Sequence, residues 1–300
     1  MKLKQKKNII ILLIIVCTFF VSSFQLKNEI TNENVEVNNK VESINISKDE
    51  NLEVHYIDVG QADSILLKQG ENTMLIDGGN NDDNLLVGEY LKNQDVDKLD
   101  YIIATHPHED HIGGLDYIIN KFDVLNIYAP KVTANTKTFK DFVNAVKGKN
   151  LKFKTPIAGE EFMLGDAKCK ILAPNSSDYE ETNDYSIVLK VTYKNKSFLF
   201  TGDAEKTSEK EMCSKFKNEL KSDVLKLGHH GSSSSTTNEF LNSVNPSICV
   251  ITVGKENKYG HPHSETLEKI NKKGLKILRT DENSNIVIKT DGENFNINSK

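Results

Sequence analysis

The run His106-Pro107-His108-Glu109-Asp110-His111-Ile112-Gly113-Gly114 follows directly on the apolar stretch Tyr101-Ile102-Ile103-Ala104. Few folds accommodate such a run. Three imidazoles and the Asp110 carboxylate within six residues are too close together to share one helix face. A short loop leaving a buried strand can instead fan them around a point. Imidazole and carboxylate suit Zn²⁺ or Mn²⁺, and three or four of them hold an ion while leaving a position for water. The chain has eight histidines in 300 residues, so three in one loop point to a metal site rather than to an incidental polar turn. Gly113-Gly114 is expected to turn the backbone tightly into a helix over 115–122.

Other loops supply further candidates. Asp203 ends the run Phe198-Leu199-Phe200-Thr201-Gly202, placed either to bridge two metal ions or to cap a following helix. Beside the histidine loop, the bridge is the preferred reading. His229-His230-Gly231-Ser232 follows Val224-Leu225-Lys226-Leu227. Neighbouring side chains leaving a strand diverge, which predicts that one histidine binds metal while the other faces substrate or a residue that supports the ligands. His261-Pro262-His263 suits phosphate contact or proton donation, and equally an ordinary exposed loop. Asp77, in Leu75-Ile76-Asp77-Gly78-Gly79, either orients a metal-binding histidine or belongs to a turn. His55 lies within a strand pattern and reads as structural.

Residues 1–24 combine a basic start (Lys2, Lys4, Lys6, Lys7) with an uncharged apolar run from Ile9 to Phe24, the pattern of a signal peptide or an N-terminal anchor. Export, with a possible membrane tether, is the expectation. Residues 25–50 read as a flexible polar linker and 51–300 as one domain. Setting aside the first 24 residues removes four lysines and no acid, and takes the formal charge from −5 to −9. Nucleic-acid binding would then need a local basic patch or the metals. Lys131, Lys137, Lys140, Lys147, Lys149, Lys152 and Lys154, against Asp141 alone, form such a patch or else a solvated helix face. Cys169 and Cys249 sit in apolar runs and are expected to be buried thiols. The chain has no Trp to suggest base stacking, and nothing in the residues points to a protein partner.

Short apolar runs divided by Gly60, Gly70 and Gly78-Gly79 predict antiparallel strands joined by tight turns at the start of the domain. Beyond them, strands near 101–104, 125–128, 186–193, 197–201, 223–227, 248–253 and 275–279 are interleaved with helices over 85–91, 138–146, 204–220, 237–244 and 264–272. Hairpins are expected over 161–173 and through Asp291-Gly292. Two strand-rich halves with helices spread between them predict an α/β (α+β) four-layer αββα sandwich.

These motifs resemble the metallo-β-lactamase-fold hydrolases, and within them the C-terminal hydrolase domain of the ComEC family of competence proteins. Asp58-Val59-Gly60-Gln61-Ala62-Asp63, Asn183-Asp184-Tyr185-Ser186, Thr201-Gly202-Asp203, Lys226-Leu227-Gly228-His229-His230-Gly231-Ser232 and Tyr259-Gly260-His261-Pro262 carry the subgroup likeness. Exported phosphorylcholine esterases share parts of the pattern. The resemblance implies two divalent metal ions, with His106 and His108 on one, Asp110 and His111 on the other, Asp203 bridging, and His230 completing the second. Asp110, His229 and His261 would be catalytic. His229, Asn183, Ser186 and Ser232 would bind substrate, and Asp77 and Asp58 would support the ligands. No histidine lies between His111 and His229, so Asn183, Asp184 or water must stand where the superfamily has its third-motif histidine. The chain lacks the multi-helix membrane segment that accompanies this domain in ComEC proteins, so DNA conduction is not expected of it. The implied activity is hydrolysis of a phosphodiester, DNA first. A phosphorylcholine-type esterase and a non-catalytic DNA- or metal-binding module are the alternatives.

Overall fold

The computed structural model describes residues 51–299. The N-terminal basic and apolar run, Cys17 and the polar linker lie outside the described residues. Among the described residues, no helix is long and apolar enough to cross a membrane.

The strands are β1 Leu52–Tyr56, β2 Ile65–Gln69, β3 Asn72–Ile76, β4 Lys98–Ile103, β5 Asp123–Tyr128, β6 Phe153–Lys154, β7 Glu161–Leu164, β8 Ala167–Ala173, β9 Val188–Tyr193, β10 Lys196–Phe200, β11 Val224–Lys226, β12 Ile248–Ile251, β13 Lys276–Arg279, β14 Ile286–Thr290 and β15 Phe295–Ser299. The helices are α1 Asn84–Asn93, α2 Glu109–Ile112, α3 Leu115–Lys121, α4 Lys137–Gly148, α5 Lys206–Phe216, α6 Asn238–Val244, α7 Ser264–Lys272 and α8 Thr280–Asn283.

One sheet has the order β15-β14-β1-β2-β3-β4-β5-β6 and the other β13-β12-β11-β10-β9-β8-β7. Each is antiparallel in one half and parallel in the other. In the first sheet the parallel half runs from β3 to β6; in the second it runs from β10 to β13. Period-two alternation sends Tyr56, Met74, Ile103, Phe198, Phe200 and Val250 into the space between the sheets. Leu66, Leu75 and Ile102 point the other way, against Val87, Leu91, Leu115, Ile118 and Phe142 of α1, α3 and α4. Leu199, Leu225 and Cys249 face Met212, Phe240, Leu241 and Ile270 of α5, α6 and α7. Both parallel halves are thus covered on two faces, which is why their strands are nearly continuous apolar runs. The layers are αββα, as expected.

Three details differ from expectation. The link between β1 and β2 is a long loop over 57–64, not a tight turn, and it carries polar groups into the site described below. The helix expected over 204–220 starts at Lys206 and gives way at Lys217, whose φ of 48° begins a 3₁₀ segment. β6 is not legible in the sequence, because two residues are too few for an alternation to show.

Candidate metal centre

The site lies off the carboxyl ends of the parallel strands, where ligand-binding loops of open α/β sheets gather. β4 lies between β3 and β5, and beyond it the Thr105 amide and hydroxyl both donate to the Asp77 carboxylate, at 2.8 and 2.7 Å. That grip starts the histidine loop. His106 is buried, His108 is exposed in the N-cap position of α2, and His111 is buried on α2. Gly113 and Gly114 have ordinary negative φ. They serve close approach rather than a special turn: a Cβ on Gly113 would sit 2.3 Å from the Asn81 amide nitrogen, and one on Gly114 2.3 Å from the Gly78 carbonyl oxygen.

The second sheet supplies the other donors. Asp203 follows β10 through Gly202, whose φ is 50°. It is not a cap, since Glu205 holds the N-cap position of α5. Its Oδ1 lies 3.4 Å from His111 Nε2, and its Oδ2 lies 4.0, 3.7 and 3.8 Å from the Nε2 atoms of His106, His229 and His230. Asp110 Oδ2 is 3.4 Å from His230 Nε2 and 3.9 Å from His111 Nε2. The buried atoms His111 Nε2, His230 Nε2 and Asp203 Oδ1 have no hydrogen-bond partner. Unsatisfied buried polar atoms that converge are costly unless something charged joins them. Asp110, His111, Asp203 and His230 are close enough to share one ion. His106 Nε2, 4.0 Å from Asp203 Oδ2, lies 3.0 Å from His108 Nδ1. These donors fit two divalent cations with Asp203 between them.

The electrostatics agree. Burial opposes charge on Asp203, yet the imidazoles of His111, His230 and His106 hold its carboxyl well below the usual carboxylate range. Burial likewise opposes charge on His111, but Asp203, Asp110 and Asp77 lift it well above the ordinary imidazole value. His230 is raised against burial, chiefly by Asp203. For His106, burial and then His111 prevail, and it falls well below the usual value. The cluster draws positive charge to Asp203, which a bound cation supplies without protons.

Behind the ligands stands a layer that the sequence reveals only in part. Asp77 Oδ2 accepts from His111 Nδ1 at 2.8 Å. Asp58 has no part in this layer: its carboxylate accepts from the Gly60 amide within its own turn. Asp63 takes the place expected of Asp58. Its Oδ2 pairs at 2.6 Å with the buried Lys226 ammonium, and its Oδ1 accepts from the Thr252 hydroxyl. The Thr252 carbonyl accepts from His230 Nδ1 at 2.8 Å. A lysine inside the apolar run of β11 is the available signal, because a buried ammonium needs a carboxylate.

Ser186, Ser232 and Asn183, expected to bind substrate, are hydrogen-bonded within the site. Ser186 is fully buried; its hydroxyl accepts from the Asp203 amide at 3.1 Å and lies 3.3 Å from His106 Nδ1. The Ser232 hydroxyl is taken up by Ser234. Asn183 Nδ2 donates to Glu205 Oε1 at 3.0 Å. Asp184 does not fill the corner of the absent histidine: its Oδ1 accepts the Glu205 and Ser208 amides at the start of α5. His55 is structural, bonded to the Tyr90 hydroxyl and Glu53. His261 faces the centre, its ring 5.4 Å from that of His229, and its Nδ1 lies 3.3 Å from Gln61 Nε2.

The family model of the metallo-beta-lactamase superfamily matches residues 57–252. The chain belongs to that superfamily. It is 31% identical to ComE operon protein 3 of Bacillus subtilis over 78% of its own length and 32% of that protein's. It is 28% identical to competence protein ComA of Neisseria gonorrhoeae over 75% of its own length and 30% of that protein's. The chain therefore spans about a third of the length of these relatives. Among solved structures, the metallo-beta-lactamase fold protein YhfI of Bacillus subtilis superimposes with TM-score 0.53 at 15% identity, covering 80% of this chain and all (100%) of that one. A metallo hydrolase from Ignicoccus hospitalis gives 0.54 at 16% identity, covering 79% and 98%. These two show the fold. The protein is thus a metallo-β-lactamase-fold, metal-dependent hydrolase related to competence proteins, with His and Asp clusters that fit a dinuclear site.

Proposed function

We propose that this hydrolase is a phosphodiesterase that cleaves DNA, using two zinc or manganese ions outside the cytoplasmic membrane. The observation that carries the reading is the single buried Asp203 carboxylate, with His111 on one oxygen and His106, His229 and His230 around the other. His106 and His108 would hold one ion and Asp110, His111 and His230 the other, with Asp203 between. Such a pair supplies Lewis acidity, which acidifies a water and offsets charge on phosphoryl oxygens. The protein's own part is to orient and to exclude. Asp110, partly exposed at the edge of the buried set, is placed to orient the attacking water. Gln61 donates to His261 Nδ1, which leaves the proton on Nε2, and burial followed by the nearby His229 depresses the ring's pKa to about 4. His261 therefore acts near neutral pH as an uncharged donor to a phosphoryl oxygen, not as an imidazolium acid.

Two features support a polymer substrate. The relatives are competence proteins, and α4 presents its lysines beside the loop. Its start is tied to α2 by Asn81, which donates to Thr138 Oγ1 at 3.1 Å and Glu109 Oε1 at 2.9 Å. Thr138, Phe142, Ala145 and Val146 are buried, so the lysines of α4 face solvent, where a phosphate backbone can reach them. The N-terminal basic and apolar run supports export and a membrane tether.

The metal-loaded protein should cleave single-stranded DNA and bis-p-nitrophenyl phosphate, and Asp203→Ala should lower both rates at least about a hundredfold. Turnover of p-nitrophenyl phosphorylcholine alone would move the protein to the small-diester esterases. Retention of DNA by both forms without turnover would make it a binding module.

A further inference from the structure

Four imidazoles in this centre share one construction. In each, Nε2 faces Asp203 while Nδ1 is held from behind. For His111 the holder is the Asp77 carboxylate at 2.8 Å, and for His230 the Thr252 carbonyl at 2.8 Å. For His106 it is the Thr105 and Ser186 hydroxyls at 3.2 and 3.3 Å. For His229 it is Glu205 Oε1 at 3.0 Å. A carboxylate only accepts, so Nδ1 of His229 carries the proton and Nε2 keeps its lone pair, 3.7 Å from Asp203 Oδ2. Glu205 is itself fixed, because Asn183 Nδ2 and Ser234 Oγ donate to the same oxygen at 3.0 and 3.1 Å. This is the carboxylate–histidine arrangement that orients metal ligands.

The backbone agrees with that assignment. His229 and His230 have φ of 49° and 52°, consecutive left-handed residues without a glycine. Each such residue costs on the order of 1 kcal/mol or more and persists where the surroundings demand it. Here the result is that both rings turn to Asp203, where an extended chain would send them apart. The donors are then unequal without His229. Asp110, His111 and His230 are close enough to share one ion with Asp203, and the remaining donors are only His106, 4.0 Å from Asp203 Oδ2, and His108 beside it.

We infer that His229 is a ligand of the ion held by His106 and His108, with Glu205 as the positioning residue that sets its tautomer and direction. Of the remaining histidines, His55 is bonded to Tyr90 and Glu53, His263 to Ser233, and His261 accepts at Nδ1 from Gln61. The inference rests on the dinuclear reading of the site and is independent of which diester is cleaved.

The test is uptake of cobalt(II) by the metal-free protein, followed by visible absorption and by metal analysis after gel filtration. Wild type should take two ions. His229→Gly, which suits the positive φ, should keep the first and bind the second at least about tenfold more weakly, with a loss of intensity in the second step of the titration. Glu205→Gln should keep both ions and weaken the second by about 10- to 100-fold. Full uptake of the first ion shows that each variant is folded. His229→Gly with two ions at wild-type affinity would overturn the inference, whatever the rate, and return the ring to the substrate. Wild type that takes a single ion would instead remove the dinuclear reading, and this inference with it.

Discussion

The two donor sets around Asp203 are built to different tolerances. On one side His111 and His230 are fully enclosed, and their Nδ1 atoms rest on a buried carboxylate and a backbone carbonyl. Asp63 and Lys226 brace that side from behind, both inaccessible to solvent. Asp110 is that side's one partly exposed donor; in the other set His106 is buried, but His108 is exposed, His229 is partly so, and Glu205 is partly solvated. Rigid, dry surroundings favour tight binding in one geometry, whereas a wetter set with longer contacts tolerates exchange and approach. His111 and His230 make one set the more enclosed, and His108 and His229 make the other the more open to solvent.

Breaking the brace should have the largest effect. Lys226→Met leaves the Asp63 carboxylate buried without its cation, and removing one partner of such a pair costs about 3–5 kcal/mol. Urea unfolding of the metal-free protein should show it, and Asp63→Asn in the same chain should recover part of the loss. Next comes the ligand support. Asp77→Asn should weaken the enclosed ion about 10- to 100-fold, which competition with a chelator would measure. It should leave the open set's affinity nearer to wild type. If both ions weakened equally, the two sets would not be separate in energy.

Smaller effects sharpen the contrast from outside. Lys140→Glu with Lys147→Glu should raise KM for DNA several-fold, with metal content unchanged. The salt slope should fall by about one unit for each lysine–phosphate pairing that the substitutions remove. An unchanged salt slope would remove α4 from the substrate path. The last contrast concerns His261. Its pKa of about 4 lies below the value near 6.5 expected in the unfolded chain, so the unfolded state binds more protons between those limits. Stability of the metal-free protein should therefore rise with pH from about 4 to 6.5, and His261→Gln should flatten part of that rise. Thermal melts across that window would read it.

Much of the fold is legible because its signals are local. Alternation in Phe198-Leu199-Phe200 shows which faces are buried without knowledge of the partner strand. β6 carries no such signal and emerges only in the folded sheet. The site is legible where the chemistry sits in one short run, as in the histidine loop. It is misleading where the function of a polar group depends on what lies opposite. Ser186 reads as a substrate hydroxyl until its partners prove to be Asp203 and His106. Asp58 and Asp63 occupy one motif, and only the second reaches Lys226.

The amino-acid order by itself determined the layers and the kind of donor delivered at each strand end, since both follow from periodicity and residue type within a few positions. Tertiary structure alone decided which donors meet and how they are held. Asp63 and Thr252, or Glu205 and His229, are far apart in the chain and become neighbours only when the strand ends converge. The direction of a side chain there depends on backbone angles, such as the paired left-handed residues at His229 and His230, that close packing imposes and local propensity would not choose.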